Sequence, residues 1–343
     1  MKNNATVAKI MAVYGKRINE NDYQALVSMK SVSDVAEYLK QNTYYSKVLS
    51  DVETVGIHRG FLESLLDKFH FETYRDWCKF EKVDQKQSFY RFYIVGNEIN
   101  EILNALMHFN AERSQDYIIS LPAFLITRAS YDILALAKAH SFDDILEVLK
   151  KTPYHDLIKN VSVLDDGDVD FNSCENALRN YYTKWLLKEA NKLKGRSDRT
   201  SLLNQIRGQV DLINLINAYR MAHYFKMSPV QIKKNLLDIS GRFSKEIEKI
   251  ILSATELDEY KRAIGNTVYG SRLNKYSNEY FEQSLRQLRY ETTRHSLMFS
   301  ETAEVSIYSG LYLIEVEIEN LKAIIESIRY GKTPDFINSL LVK

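Results

Sequence analysis

The sequence predicts an all-α protein made of three helical bundles. Only four prolines and 12 glycines occur in 343 residues, and long uninterrupted helices tolerate neither residue. No segment shows the alternation of apolar and polar residues that is typical of a strand. Three of the prolines, Pro122, Pro229 and Pro334, lie 107 and 105 residues apart, which indicates three similar units along the chain.

The first repeated element is a short helix that begins at a serine. Six residues recur 110 positions later without a gap: Ser31, Asp34, Glu37, Leu39, Lys40 and Tyr44 match Ser141, Asp144, Glu147, Leu149, Lys150 and Tyr154. A weaker third copy aligns Ser253, Glu256, Leu257, Glu259 and Tyr260 with Ser31, Asp34, Val35, Glu37 and Tyr38. Serine as N-cap, with an acid three residues later, predicts a helix start.

Each copy then ends in the pattern Thr-x-Tyr. The three instances are Thr43-Tyr44-Tyr45, Thr152-Pro153-Tyr154 and Thr267-Val268-Tyr269. We expect the threonine to end the short helix and to cap the next turn. We expect the tyrosine to pack its ring inward and to keep its hydroxyl near water.

Two longer helices follow in each copy. The first has a one-sided apolar stripe, comprising Leu62, Leu65, Leu66, Phe69 and Trp77, then Leu178, Tyr182, Trp185, Leu186 and Leu193. The second aligns an acid and an aliphatic residue across the copies: Glu98 and Ile99, Asp211 and Leu212, Glu317 and Ile318. In the last copy, apolar residues spaced by threes and fours from Leu311 to Ile328 indicate packing against a neighbouring helix.

We therefore divide the chain into three helical modules, residues 14–121, 122–228 and 229–333, followed by a tail at 334–343. The repeat is longer than those of common solenoids, which use about 20–50 residues. Three bundles around a common axis are the expected architecture, and a row of three bundles is the alternative.

Composition excludes several classes of protein. The net charge is +1, whereas nucleic-acid-binding proteins carry a basic excess, so we expect no nucleic acid partner. The two cysteines, Cys78 and Cys174, indicate neither a disulfide framework nor a zinc site. Because the N-terminus lacks a signal-peptide core and no stretch approaches 18 apolar residues, we expect a cytoplasmic location without a membrane span.

Two segments resemble ligand-binding loops but lack a required residue. Gly265 to Ser271 has the glycine spacing of a phosphate-binding loop, but a serine stands where the lysine belongs. We interpret it as a structural turn. The acidic run Asp165 to Asp170 resembles a calcium loop, but placing Gly167 at the sixth position puts Leu164 at a ligand position. We interpret it as a solvated loop.

No catalytic or cofactor site is predicted. The seven histidines never fall at metal-ligand spacing on one helix face. The carboxylates recur at spacings that serve helix caps and ion pairs along a helix. We therefore expect no enzyme activity, no metal, no cofactor and no small-molecule substrate.

One basic segment is a candidate docking site. Lys192, Lys194, Arg196 and Arg199 cluster at the predicted end of the second module's long helix. Cations suit a helix C-terminus and Gly195 is a plausible residue just beyond it, so a well-capped helix end is one interpretation. A docking patch for an acidic partner protein is the other.

The repeated elements resemble the C/AC39 family of V-type (vacuolar/archaeal-type) rotary ATPases and ATP synthases, whose eukaryotic members are called d. The similar segments are residues 21–26, 31–39, 42–45, 211–220 and 315–322. Residues 8–12 resemble a family segment with two arginines, for which this chain has Lys9 and Met11.

The resemblance implies a non-catalytic coupling subunit shaped as a funnel of three helical bundles with pseudo-threefold symmetry. Members of that family lie on the cytoplasmic face of the proteolipid c/K ring and receive the foot of the central axle. The implied partners are therefore the D- and F-type axle subunits and the ring. The implied role is to pass torque between ATP chemistry and proton or sodium transport.

Two other interpretations are consistent with the repeats. One is a generic helical-repeat scaffold for protein–protein binding, for which small-angle scattering would show an elongated arch. The other is a helical enzyme, which requires a deep pocket with convergent polar groups and shifted pKa values.

Overall fold

The computed structural model describes residues 2–83, 88–111, 121–161, 164, 167–238, 245, 248–249, 257–267, 269–273 and 281–343. Over these residues the chain consists of helices and connecting loops, with no β-strand. The all-α prediction is confirmed. Within the same ranges, none of the helices combines the length and the apolar character needed to cross a bilayer.

The helices follow one order three times, with short helices before two long ones. The first set comprises α1 (Lys2–Tyr14), α2 (Glu20–Val27), α3 (Val32–Asn42), α4 (Ser46–Leu49), α5 (Arg59–Glu81), a 3-10 turn (Phe89–Arg91) and α6 (Phe92–Asn110). The second comprises α7 (Ile133–Ala137), α8 (Phe142–Leu149), α9 (Pro153–Ile158), α10 (Phe171–Asn191) and α11 (Arg196–His223). The third comprises α12 (Pro229–Asn235), α13 (Leu257–Gly265), α14 (Gly270–Leu273), α15 (Phe281–Met298), α16 (Ala303–Arg329) and α17 (Pro334–Leu340).

The predicted serine caps are present in the first two sets. Ser31 caps α3 by accepting the backbone N–H of Asp34. Ser141 caps α8 in a full capping box, in which Asp144 accepts the backbone N–H of Ser141 in return. The third predicted cap, Ser253, lies outside the described residues.

The Thr-x-Tyr pattern forms the same local turn in all three copies. Each threonine hydroxyl donates to a carbonyl of the preceding helix and accepts the amide of the tyrosine two residues later. The threonine-to-tyrosine bonds are 3.3 Å at Tyr45, 3.3 Å at Tyr154 and 3.2 Å at Tyr269. The structural counterpart of Tyr154 is therefore Tyr45, and the gapless match to Tyr44 is off by one residue. The Gly265 segment is a turn of this kind, as predicted.

The tyrosine hydroxyls do not lie near water, so that prediction is wrong. Each one donates to a buried carboxylate on a long helix. The bonds join Tyr45 to Glu317 at 2.8 Å, Tyr154 to Glu98 at 2.5 Å and Tyr269 to Asp211 at 3.4 Å. The physical reason is that a buried carboxylate needs hydrogen-bond donors, and these rings bring the donors. Each acid lies twelve residues before the last residue of its helix, α16, α6 or α11.

These tyrosine–carboxylate bonds join consecutive sets of helices. Tyr154 of the second set donates to Glu98 of the first set, and Tyr269 of the third set donates to Asp211 of the second. Tyr45 of the first set donates to Glu317 of the third. The long helices follow the same order, since α10 packs on α6, α15 on α11, and α5 on α16. Each packed bundle therefore combines the second long helix of one set with the short helices and first long helix of the next.

The bundle around α11 and α15 has a core of its own, which draws on α11, α12, α13, α14 and α15. The bundles are thus offset by one long helix from the sequence modules 14–121, 122–228 and 229–333. Their borders fall in the turns between the paired long helices, after Glu81, Asn191 and Met298.

Helix α16 is buried along most of its length because α1, α5, α11 and α15 all pack on it. Gly310 allows the closest of these contacts. A methyl group there would lie 3.0 Å from Ile10 of α1 and 3.0 Å from the ring of Trp77 of α5, and both of these side chains are fully buried.

We expect Gly310→Ala to lower the free energy of unfolding by about 1–3 kcal/mol, because overpacking a rigid core outweighs the better helix propensity of alanine. Gly208→Ala in α11 is the matched control, since nothing lies within 4 Å of a methyl group there. We expect that variant to gain up to ~1 kcal/mol. Urea unfolding measures both, and equal effects of the two substitutions would contradict the close approach.

We expect Tyr154→Phe to lower the free energy of unfolding by about 1.5–3 kcal/mol, the usual loss for a hydrogen bond to a charged group. Tyr330→Phe removes the same hydroxyl from an exposed side chain and should change stability by less than ~0.5 kcal/mol. Chemical denaturation of both variants checks this, and a neutral Tyr154→Phe would show that the bond to Glu98 is unimportant.

Candidate functional site: an inner surface lined by five long helices

A polar stripe runs along one side of the otherwise buried helix α16. Its members are spaced by fours and threes, which places them on one face: Tyr308, Tyr312, Glu315, Glu319 and Lys322. Glu315 and Glu319 are exposed and the other three are half-buried. The opposite faces of α16 carry the buried aliphatic residues that the sequence predicts.

Side chains from four other long helices face this stripe. Arg179 of α10 and Arg289 of α15 lie close enough to Glu315 to act on its pKa. Burial raises the pKa of Tyr93 of α6, and the nearby Asp67 and Glu315 add to this shift. Asp67 of α5 accepts a hydrogen bond from Lys322 at 2.7 Å. We call this shared region, to which α5, α6, α10, α15 and α16 contribute, the inner surface.

Two titratable side chains of the inner surface have shifted pKa values. The side chain of Glu315 has a large solvent-accessible area, but the surrounding helices reduce its hydration. This desolvation and the nearby charge of Glu319 raise the pKa of Glu315 to about 7. Arg289 and Arg179 oppose the shift but do not cancel it. His70 of α5 is half-exposed, and burial lowers its pKa to about 4. Both shifts are in the direction that desolvation by surrounding protein produces.

The cations of the inner surface are held in place by their neighbours. Arg289 donates from Nε to Gln209 at 2.6 Å, and its guanidinium lies 4.4 Å from the ring centroid of Tyr312. Arg179 donates to Asn100 at 2.8 Å. The surface therefore presents fixed charges of both signs. Such a surface suits recognition of another protein by complementary charge.

This arrangement carries no sign of metal-ligand geometry. Among the described residues, no three histidine, cysteine or acidic side chains gather closely enough to hold a metal ion. Asp165 and Asp166 of the acidic run lie outside the described residues.

The predicted basic patch lies at the turn between α10 and α11. Lys192 ends α10 and bonds Glu189 at 2.5 Å, while Lys194 and Arg196 are exposed. Gly195 is the N-cap of α11 and lies three residues after Lys192, the C-cap of α10, so its interpretation as the residue just beyond the end of α10 is wrong. The reason is that α11 begins at once.

The interpretation of the basic patch as a well-capped helix C-terminus accounts for only one of its four cations, Lys192. Arg196 and Arg199 lie in the first turn of α11, where the helix dipole disfavours cations. The structure thus brings the four residues together at one turn, whereas the inner surface draws on the middle of α10. Sequence reasoning missed the inner surface, although a polar stripe opposite the apolar seam of α16 was a readable signal.

Comparison with known proteins gives one family and a consistent set of relatives. A family model described as "ATP synthase (C/AC39) subunit" matches residues 6–340. The C subunit of the A-type ATP synthase of Thermococcus kodakarensis is 24% identical over 346 residues, which cover 97% of this chain and 88% of the relative. Its counterpart in Desulfurococcus sp. strain SY is 25% identical over 347 residues, with 97% and 88% covered. That of Methanosarcina mazei is 24% identical over 347 residues, with 98% and 91% covered.

We expect the stability of the chain to depend on pH through Glu315. Its pKa in the folded chain is about 7, above the value in the unfolded chain. The stability that the protonated carboxyl contributes is therefore fully present below about pH 4.3 and is lost as the pH rises through 7. The free energy of unfolding of Glu315→Gln should therefore rise relative to that of the native chain as the pH increases from 5 to 8. Denaturation midpoints across this range provide the test.

Glu53→Gln, at an exposed loop position, is the charge-matched control and should follow the native profile. If Glu315→Gln and the native chain keep a constant difference across the range, Glu315 does not titrate near pH 7.

Proposed function

The chain belongs to the family of ATP synthase (C/AC39) subunits, and on that premise we propose that it is a non-catalytic central-stalk subunit of a V-type or A-type rotary ATPase. The relatives named above are C subunits of A-type ATP synthases. In this proposal the chain links the axle to the proteolipid ring and transmits torque for ATP-coupled proton or sodium transport.

We propose that the three bundles close into a funnel with pseudo-threefold symmetry. The support is the cyclic order of the tyrosine–carboxylate bonds, in which the first set bonds the last. A row of bundles would leave the terminal sets unpaired with each other. Here α5 packs on α16, as α10 packs on α6 and α15 on α11, and this favours closure.

The inner surface is the proposed seat of the axle foot, formed by the D- and F-type subunits. It carries fixed charges of both signs and draws on five long helices. These properties suit a polar protein end that must not slip when torque is applied. Packed helices deform little, and buried hydrogen bonds between the sets add resistance to shear.

The proteolipid ring is the proposed partner at one end of the funnel, on the cytoplasmic face of the membrane. The helices α6, α11 and α16 hold equivalent places in the three sets, and each ends with large exposed apolar side chains. These are Met107, Tyr224, Phe225 and Tyr330. Three apolar groups at one end would contact the loops of a ring without any span in this chain. The basic patch at the α10–α11 turn stays a proposed contact for an acidic partner.

Affinity capture tests the proposal most simply. The tagged full-length chain, incubated with detergent extracts of membranes from its own host, should recover rotary ATPase subunits identified by mass spectrometry. Recovery of soluble proteins without any rotary ATPase subunit would favour a generic scaffold instead.

We expect the double variant Glu315→Arg/Glu319→Arg to bind the purified axle subunits at least about tenfold more weakly than the native chain, because the reversed charges would repel the groups that the native carboxylates attract. Asp51→Arg/Glu53→Arg makes the same charge change at two exposed loop positions and should leave the affinity unchanged. Biolayer interferometry measures both, and unaltered binding by the inner-surface variant would place the axle elsewhere.

A further inference from the structure

A large cleft lies between α1, α4 and the C-terminal half of α5. Its volume is 1320 Å³, whereas pockets for small molecules measure about 300–1,000 Å³. The cleft is open to solvent and therefore has room for a peptide segment. We call it the α1–α5 groove.

The floor of the α1–α5 groove is aromatic. Phe69 and Trp77 of α5 are buried in it, and Tyr44 packs edge-on against Phe69 with ring centroids 4.7 Å apart. Phe80, at the end of α5, is 44% exposed beside the opening. Phe69 and Trp77 support this floor from within the protein, while the half-buried Tyr44 and the exposed Phe80 offer contacts for apolar side chains of a partner.

The rim of the groove is basic. Five lysines line it: Lys9, Lys16, Lys47, Lys79 and Lys82. Lys16, Lys79 and Lys82 are exposed and form no ion pair with any residue that the structure describes. These three cations are available to a partner.

The two acids of the groove neutralise only part of this rim. Asp76 accepts a hydrogen bond from Lys47 at 2.8 Å and forms a second pair with Arg75. Glu81 accepts a hydrogen bond from Thr6. Because five lysines outnumber the two acids, the net charge of the lining is positive.

The groove is separate from the inner surface, although both use α5. Most of its lining between Phe69 and Phe80 follows one stripe, Phe69, Thr73, Asp76 and Phe80, and Trp77 lies beside that stripe. The inner surface uses Asp67 and His70, which belong to another stripe. Helical periodicity places the two stripes on different faces, so occupation of one surface leaves the other accessible.

We propose that the α1–α5 groove binds an acidic amphipathic helix of another protein. The apolar face of that helix contacts Tyr44 and Phe80, while its carboxylates pair with the rim lysines. Amphipathic helices bind other proteins in grooves of this kind. A recessed floor bounded by three helices favours a helix over a lipid surface, which would need apolar side chains that protrude.

The probe is a fluorescent synthetic peptide about four turns long, with glutamates on one helical face and leucines on the other. Its match carries lysines in place of the glutamates. Anisotropy with the native full-length chain should show binding of the acidic peptide and at least about tenfold weaker binding of the basic one. Hydrogen exchange should slow in α1 and in the second half of α5.

Two charge-matched variants locate the site. Lys16→Glu/Lys79→Glu/Lys82→Glu should weaken binding at least about tenfold, and Phe80→Ala should weaken it as well because an anchor is lost. Lys138→Glu/Lys151→Glu/Lys234→Glu reverses three exposed cations that do not line the groove and should leave binding unchanged.

Three results would overturn the proposal. One is no binding of the acidic peptide to the native chain, and another is an equal loss in the two triple variants. The third is binding of phosphatidylglycerol vesicles that depends on Lys16, Lys79 and Lys82 in the absence of peptide binding, which would make the groove a membrane contact.

Discussion

The buried carboxylate of Glu317 is the group on which the rest of the structure depends. It lies in the middle of α16 and accepts hydrogen bonds from the hydroxyls of Tyr44 and Tyr45 and from the backbone N–H of Ile18, 299 residues away. Burial raises the pKa of Glu317, while the tyrosine hydroxyls act to lower it. A buried carboxylate without donors is strongly destabilising, so the first set of helices must dock on α16 for the fold to be stable.

The same constraint, applied three times, organises the whole chain. Glu98 accepts hydrogen bonds from Tyr154, Arg91 and the backbone of Ser130, and Asp211 accepts one from Tyr269. Because each acid and its tyrosine come from consecutive sets, each bond joins one set to the next, and the bond to Glu317 joins the last set to the first. Buried hydrogen bonds between consecutive sets resist their separation, which is consistent with the proposed transmission of torque.

Local features of this fold could be predicted from the sequence. Ser31 and Ser141 cap helices because their side chains act within three residues, and the alignment of Glu98, Asp211 and Glu317 is visible as a repeat. What a single sequence does not display is which groups meet across a hundred residues or more. For this reason the sequence did not predict that the tyrosine hydroxyls are buried. It also did not predict the inner surface, because the residues of that surface come from five separate helices. Local patterns can also be ambiguous: a glycine that follows one helix, such as Gly195, is equally suited to begin the next helix.

The most direct test of this account is the hydrogen exchange rate of the Ile18 amide. Ile18 lies between α1 and α2, outside any helix, and its N–H donates to Glu317 at 2.9 Å. If Glu317 joins the two distant parts of the chain, this amide should exchange on the order of 1,000-fold or more below the unprotected rate, together with the core of α16. Exchange of Ile18 at the rate of exposed loop amides, while α16 stays protected, would contradict the account.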